Sequence, residues 1–259
     1  MPVSMTRTTH NGDVRQLGRA DRGAGAITRA RSTNRAEPRL GCRRVDDERS
    51  ALRSAWDDVA TAYATLLPDM RAEAPLDLSV LSAFAQLARE AAAGPVVEVG
   101  CGAGRVTAHL AGQDLRMVGI DLSPSMVVAA HSAHPPLPFA AGDAAALPLR
   151  TGALGGLVSW YSLINTPTAG LPEVLEGFAR VTAAEAPLLV AFQSGQGERV
   201  DRRSAYGRPV SMTYFLHRAD TVAADVADAG FSLYATVNRE PALPHETTTQ
   251  SFVLAKRAA

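Results

Sequence analysis

Residues 96–112 read VVEVGCGAGRVTAHLAG, and this stretch decides the fold. Apolar residues run into three glycines on alternate positions, Gly100, Gly102 and Gly104, and apolar residues at helical spacing follow. This order predicts a buried strand, a tight turn and a helix. Glycine takes positive φ easily and lets a ligand approach the backbone, and a helix start offers unpaired N–H groups to an anion. We therefore expect a ligand site at this turn.

Strand and helix patterns alternate from residue 95 onward, which predicts a parallel sheet with helices on both faces. Two helical patterns, within residues 46–67 and 76–94, precede it. The last two strand patterns are joined only by the short segment PALPHE. Since a parallel pair needs a long crossover, these two strands are predicted to form an antiparallel hairpin. The fold class is α/β, a doubly wound, Rossmann-like sheet of seven mostly parallel strands.

Composition and charge divide the chain into three parts. Residues 1–44 carry ten arginines and three acids and few large apolar residues, so we predict a disordered, arginine-rich tail. Residues 45–94 are predicted to form helices that act as a lid, and residues 95–259 the core, with a cap insertion at 196–217. The formal net charge is zero, and no apolar run approaches the ~18 residues of a membrane span. Two cysteines make no disulfide framework, so we expect a cytoplasmic protein without a secretory signal.

The glycine spacing distinguishes between nucleotide ligands. A dinucleotide fingerprint, G-x-G-x-x-G, would need glycine where Arg105 or Thr107 stands. The pattern here is Glu98-x-Gly100-x-Gly102-x-Gly104, which resembles motif I of the class I S-adenosylmethionine-dependent methyltransferases. The resemblance extends over most of residues 50–257. It implies the strand order 3-2-1-4-5-7-6, S-adenosylmethionine as cofactor, S-adenosylhomocysteine as product, and no metal.

Two further loops are similar to those of this family. In GIDLSPSM, the resemblance implies that Asp121 binds the ribose hydroxyls and that Met126 packs on the adenine. In AAGDAAALPL, it implies that Asp143 and the Ala144 amide bind the adenine edge. Structural roles remain open, because Asp121 can cap the next helix and Asp143 can form an Asx-turn. The cofactor-binding residues expected in full are Tyr63, Glu98, Gly100, Cys101, Gly102, Gly104, Asp121, Leu122, Met126, Gly142, Asp143, Ala144 and Ser159.

The segment SWYSLIN follows the fourth predicted strand, and the resemblance implies that its residues face the methyl acceptor. The substrate-binding residues expected there and in the cap are Trp160, Tyr161, Ile164, Asn165, Gln193, Tyr214 and His217. His217 and Tyr161 are the candidate catalytic groups, although methyl transfer needs a base only if the acceptor must lose a proton. His217 can instead be a capping residue. Arg105 has two interpretations, a partner for the cofactor carboxylate or a solvated side chain.

The sequence thus predicts a methyltransferase acting on a small molecule, with an aromatic phenol, indole or amine as candidate acceptor and a role in secondary metabolism. The expected partner is the small-molecule substrate, with neither membrane nor nucleic acid, and the protein is a monomer or homodimer. Two alternatives remain. One is an RNA- or protein-directed methyltransferase that uses the basic tail, and the other is a nicotinamide-dependent oxidoreductase.

Overall fold

The computed structural model of the chain describes residues 40–91 and 93–259. The predicted tail therefore lies outside the described residues, except for its end, because the first helix begins at Leu40 rather than near residue 45. The described helices are α1 (Leu40–Leu66), α2 (Pro75–Ala91), α3 (Arg105–Ala111), α4 (Pro124–Ala133), α5 (Leu171–Val181) and α6 (Ala219–Asp228). The described strands are β1 (Val96–Val99), β2 (Met117–Asp121), β3 (Phe139–Ala141), β4 (Gly156–Trp160), β5 (Pro187–Gln193), β6 (Glu198–Ala205), β7 (Arg208–Leu216), β8 (Phe231–Arg239) and β9 (Gln250–Arg257).

Seven strands form one sheet in the order β3-β2-β1-β4-β5-β9-β8. Strands β1 to β5 pair in parallel, whereas β9 runs antiparallel to both β5 and β8. Counted without β6 and β7, which lie outside this sheet, the order is the predicted 3-2-1-4-5-7-6, so the fold class is confirmed. Strand order reverses at β1, whose neighbours are β2 and β4, and ligands of such sheets bind beyond the carboxyl ends of the strands at this point.

The core lies on both faces of the sheet. One cluster packs Phe84 of α2 and Leu110 of α3 against β1 and β4, and the other packs Phe178 of α5 and Val226 of α6 against β4 and β5. All four residues of β1 are buried, as expected for a central parallel strand covered on both sides. This buried strand fixes the position of the glycine turn that follows it. Among the described helices, none combines the length and apolar character needed to cross a membrane.

The cap insertion is regular, which the sequence did not indicate. The insertion predicted at 196–217 forms the two-stranded antiparallel pair β6–β7, with a register shift between Arg202 and Ser204. Helix α1 packs against both α4 and β7. The long N-terminal helix and the inserted hairpin are therefore neighbours on the side of the sheet where the glycine turn lies.

Candidate active site

A cavity of about 1150 Å³ opens at the carboxyl ends of the parallel strands. Single-ligand pockets usually measure about 300–1,000 Å³, so this cavity has room for two small ligands. We call one part of its wall the glycine-loop side, lined by Gly100, Gly102, Asp121, Leu122, Met126, Gly142, Asp143 and Ala144. We call the other part the aromatic side, lined by Trp160, Tyr161, Ile164, Asn165, Gln193, Tyr214, His245 and Gln250.

The three glycines of the turn have positive φ angles of 76°, 52° and 83°. A Cβ at Gly100 would overlap the Ser162 side chain, one at Gly102 would lie 3.1 Å from the Tyr63 ring, and one at Gly104 would lie 2.7 Å from the Phe139 ring. Each glycine is therefore required by the chain's own packing and backbone conformation. The positive φ expected of these glycines is confirmed, and Gly104 does not line the cavity.

Asp121 joins the glycine turn to the start of α4. Its Oδ2 accepts a hydrogen bond from the Gly102 amide at 2.8 Å, and its Oδ1 accepts one from the Ser123 amide at 2.8 Å. Burial raises the pKa of Asp121. Each carboxylate oxygen has a second acceptor position, so the side chain both fixes the loop and retains bonding capacity toward the cavity.

The start of α4 is fixed from two directions. Ser123 caps the helix by accepting a bond from the Met126 amide at 3.1 Å, and Pro124 occupies the first turn, as the sequence predicts. Asp57 of α1 accepts bonds from the Ser123 hydroxyl and the Ser125 amide. Burial alone would raise the pKa of Asp57, but the hydrogen bonds from Ser123 and Ser125 outweigh it and lower the pKa. The contact with Asp57 was not predicted, because it joins segments 66 residues apart.

Asp143 forms the Asx-turn considered from the sequence, and its contact with the adenine stays a prediction. Its Oδ1 accepts a bond from the Ala145 amide at 2.9 Å, which is the Asx-turn, while the residue also lines the cavity. Its Oδ2 lies 3.2 Å from Arg49 Nη1. Helix α1 therefore contacts the loops after both β2 and β3.

Four residues expected to bind the cofactor are absent from the cavity wall: Glu98, Cys101, Gly104 and Ser159. Glu98 accepts a bond from the Thr107 hydroxyl, and burial raises its pKa to about 8. Cys101 packs among apolar side chains that include Phe139. The Ser159 hydroxyl bonds that of Ser162 at 2.7 Å, and Ser162 donates to the Val99 carbonyl. These residues support the turn from behind, so the prediction of direct contact is corrected.

Arg105 is buried, and its expected solvated state is wrong. The guanidinium pairs with Glu73, whose side chain is also buried, and it lies near Tyr63. Its Nε has no hydrogen-bond partner among the described residues, and the side chain lines the cavity. A buried donor without a partner is costly, so Arg105 is suited to an acceptor group of a bound ligand.

Tyr63 belongs to a cluster of three aromatic rings, which we call the α1–hairpin cluster. The Tyr63 ring centroid lies 6.1 Å from that of Trp56 and 5.1 Å from that of Tyr206. Tyr206 stands at the β6–β7 turn with a positive φ of 51°. The cluster brings the tip of the inserted hairpin onto α1, over Gly102.

Two polar atoms on the aromatic side lack partners. Trp160 is 5% exposed, and its indole Nε1 is buried without a hydrogen bond among the described residues. Asn165 donates from Nδ2 to the Ser162 carbonyl at 3.2 Å, but its Oδ1 is also buried and unpaired within the described chain. Both side chains line the cavity, so an unpaired donor and an unpaired acceptor lie buried within this part of its wall.

The candidate catalytic role of His217 is corrected by the geometry. His217 is fully buried and absent from the cavity wall. Its Nε2 lies 3.1 Å from the Leu163 carbonyl, which can only accept, so Nε2 carries the proton and Nδ1 accepts from Thr168 at 3.2 Å. Burial lowers the pKa of His217. It is a structural histidine and does not bind substrate.

Tyr161 lines the cavity with a positive φ of 56°. Burial, followed by the nearby carboxylates of Glu73 and Asp77, raises the pKa of its phenol. A raised pKa favours the protonated phenol and disfavours Tyr161 as a base, while its place in the cavity wall leaves its catalytic role a prediction. No group of three or more histidine, cysteine or acidic residues suited to a metal occurs within the described residues.

Residues 96–185 match a family model described as a methyltransferase domain. No curated protein sequence matches the chain. Several solved structures share the fold. Magnesium protoporphyrin IX methyltransferase from Synechocystis, with bound SAM, has a TM-score of 0.59 and 16% identity, covering 82% of this chain and 98% of its own.

Two further structures show how far the fold extends. The 1,6-didemethyltoxoflavin-N1-methyltransferase of Burkholderia thailandensis has a TM-score of 0.61 and 15% identity, covering 83% of this chain and 90% of its own. The [4+2]-cyclase SpnF has a TM-score of 0.57 and 15% identity, covering 81% and 97%. At such identities the structures establish a shared fold alone. Together the fold and the site define a Rossmann-like methyltransferase domain. The match over residues 96–185 and the strand order support the resemblance to the class I S-adenosylmethionine-dependent methyltransferases that the sequence predicts.

Proposed function

We propose that this protein transfers a methyl group from S-adenosylmethionine to a neutral small-molecule acceptor. The observation that carries the proposal is one cavity whose wall joins the loops after β1, β2 and β3 to the unpaired polar atoms of Trp160 and Asn165. The cofactor would occupy the glycine-loop side and the acceptor the aromatic side.

The residues of the glycine-loop side fit this cofactor. Asp121 has free acceptor positions for two ribose hydroxyls, and the apolar Met126 and Leu122 offer a surface to the adenine. The unpaired Nε of Arg105 suits the carboxylate of the methionine part. Asp143 and Ala144 would meet the adenine edge, although the Asp143 carboxylate also pairs with Arg49.

The bound cofactor supplies an activated methyl group on a sulfonium, which leaves by in-line displacement to the acceptor. The protein's part is to hold the acceptor in line and to exclude water, an effect of up to roughly 7–11 kcal/mol. The α1–hairpin cluster covers Gly102 and would keep water from this region. With His217 outside the cavity wall and Tyr161 disfavoured as a base, proximity and alignment carry the proposed catalysis.

Two ion pairs in the cavity wall support a neutral acceptor. Arg105 pairs with Glu73, and Arg49 with Asp143, so these groups are already neutralised within the wall. Trp160 Nε1 would donate to an oxygen of the acceptor, and Asn165 Oδ1 would accept from one of its hydroxyl or N–H groups. The aromatic side chains favour a flat ring system. The two similar methyltransferases are named for ring compounds, which agrees with this choice.

The proposal also assigns roles to two segments of the chain. Residues 196–217 would act as the substrate cap, and residues 45–94 as the lid. A role in secondary metabolism, a cytoplasmic location and a monomeric or homodimeric state belong to the same proposal.

The test is a methyl-transfer assay with labelled S-adenosylmethionine and a panel of phenols, indoles and amines. We expect S-adenosylhomocysteine to bind in calorimetry and at least one flat, neutral compound of the panel to be methylated. Retention of NADH on the purified protein would instead favour the oxidoreductase. Methylation of RNA or protein that disappears when residues 1–39 are deleted would favour the macromolecular alternative.

A further inference from the structure

Arg239 lies at the carboxyl end of β8 and holds two carboxylates from distant parts of the chain. Its Nε and Nη2 donate to the two oxygens of Asp77 at 2.7 and 2.8 Å. Its Nη1 and Nη2 donate to the two oxygens of Glu246 at 2.8 and 2.7 Å. Nη1 also donates to the Glu240 carbonyl at 3.1 Å. All five N–H groups of the guanidinium are therefore used.

The two carboxylates are anchored in turn. Asp77 lies in the first turn of α2 and accepts a bond from the Ala74 amide at 3.1 Å. Glu246 accepts bonds from the Ala242 and Leu243 amides at 2.8 and 2.9 Å. We call Asp77, Arg239 and Glu246 the Arg239 clamp. It ties the connection between β8 and β9, residues 240–249, to a helix 162 residues away from Arg239 in sequence.

The clamp is buried beside the cavity. The side chains of Asp77, Arg239 and Glu246 are 1%, 8% and 6% exposed. Removing charged groups from water is costly unless every bonding position is used, and here each N–H is paired. Glu246 lines the cavity, and so do His245 and Gln250 on either side of it. Among the described histidines, His245 is the one in this wall.

We propose that the Arg239 clamp is a positioning device that fixes residues 240–249 as a specificity-determining wall of the aromatic side of the cavity. The clamp gives a connecting segment, which would otherwise have few buried contacts, a single geometry. His245 is thereby presented to the acceptor, beside Gln250 at the start of β9, and Tyr161 lies near the same carboxylates. The effect on acceptor choice rests on the proposed function, whereas the fixing of the segment does not.

The test compares Glu246→Gln with Glu240→Gln in the full chain. Both variants remove one carboxylate from the same segment, but the Glu240 side chain makes only long contacts with Thr249, at 3.4 and 3.5 Å. Hydrogen exchange followed by mass spectrometry should show residues 240–249 exchanging about 10–100-fold faster in Glu246→Gln. The Glu240→Gln variant and strands β1 to β5 should exchange as in the wild type.

The functional readout uses any panel compound that the wild type methylates. In Glu246→Gln we expect the KM for that compound to rise about 10-fold with kcat changed much less, and calorimetric affinity for S-adenosylhomocysteine to be unchanged. A fall in kcat with KM constant, or accelerated exchange across the whole sheet, would show a general structural role and overturn the proposal.

The wild type provides a measurement that does not depend on a variant folding. The Ala242 and Leu243 amides should be protected from exchange, although Ala242 is exposed, because both donate to Glu246. Free exchange of these two amides in the wild type would overturn the clamp itself. If no panel compound is methylated, the proposed function fails while the exchange result still decides whether the segment is fixed.

Discussion

The glycine-loop side of the cavity takes its residues from three loops that each directly follow a parallel strand. The aromatic side is assembled differently, from the segment after β4, the end of β5, the inserted hairpin and the β8–β9 connection. On the glycine-loop side, the place of each residue follows from the strand that precedes it, and residues such as Asp121 stand in short sequence motifs. The aromatic side is held by contacts such as that of Asp77 with Arg239, whose partners lie far apart in sequence. Local motifs therefore describe one half of the site well and the other half poorly.

The largest effect is expected for Gly100→Ala, which tests whether the glycine turn is fixed by the protein's own packing. The added Cβ would overlap Ser162 while the backbone stays at positive φ. We expect a loss of about 2–5 kcal/mol in the free energy of unfolding, measured with urea. Gly152→Ala is the control, because that glycine has a φ of +64° and no atom within 4 Å of the new Cβ. It should lose only about 1–2 kcal/mol, and equal losses would contradict the steric argument.

Asp121→Ala tests the glycine-loop side as a cofactor site. The variant removes the acceptor for Gly102 and Ser123 as well as the bonding positions that face the cavity. We expect S-adenosylhomocysteine to bind more weakly by about 1–3 kcal/mol in calorimetry. Asp228→Ala, on the exposed end of α6, should bind normally. An unchanged affinity in Asp121→Ala would show that the cofactor does not bind on the glycine-loop side.

A pH dependence tests the Arg239 clamp on the other side. Hydrogen bonds from Arg239, with burial opposing, lower the pKa of Glu246 to about 2 from the usual 4.5. The stabilisation from this group is therefore present above the unfolded pKa and is lost as the pH falls from about 4.5 toward about 2.

The stability difference between the wild type and Glu246→Gln should therefore be constant above pH ~5 and shrink by about 1–3 kcal/mol in acid. Urea unfolding at several pH values measures it, with Glu240→Gln as the matched variant. A difference that stays constant down to pH ~2.5 would show that the carboxylate is not held by Arg239.

Trp160→Phe should give the smallest effect and sharpens the assignment of the aromatic side. It removes the unpaired Nε1 donor but keeps a ring against Phe252, whose centroid lies 5.5 Å away. We expect the KM for a methylated compound to rise by the equivalent of about 0.5–1.5 kcal/mol. Trp56→Phe makes the same chemical change in the α1–hairpin cluster and should leave that KM unchanged. A result in the reverse order would place the acceptor elsewhere.

The sequence predicted those parts of the molecule that depend on local pattern. Alternation gave the sheet and its closing antiparallel pair, and the Ser123–Pro124 dipeptide gave the start of α4. The sequence correctly predicted a glycine turn. It could not predict that Ser162 and Phe139 pack against Gly100 and Gly104, because no sequence pattern shows these contacts.

The errors have a common physical cause. His217 stands before a helix in sequence and looks exposed, yet the Ser194–His217 bridge brings it inside, against Leu163. Arg105 looks like a surface residue at a helix start until Glu73, 32 residues earlier, buries it. The Arg239 clamp carried no signal, since an arginine at a strand end and two separate acids are ordinary in any sequence. Tertiary pairing decides all three cases.

The chain contains only two tryptophans, and the fold sets them at different parts of the cavity, with Trp56 in the α1–hairpin cluster over the glycine turn and Trp160 on the aromatic side. The protein thus carries two intrinsic fluorophores, one beside each proposed ligand. Emission from a Trp160→Phe protein reports on Trp56 alone, and emission from a Trp56→Phe protein on Trp160 alone. Titration of the two proteins would follow the filling of each compartment separately, without any attached dye.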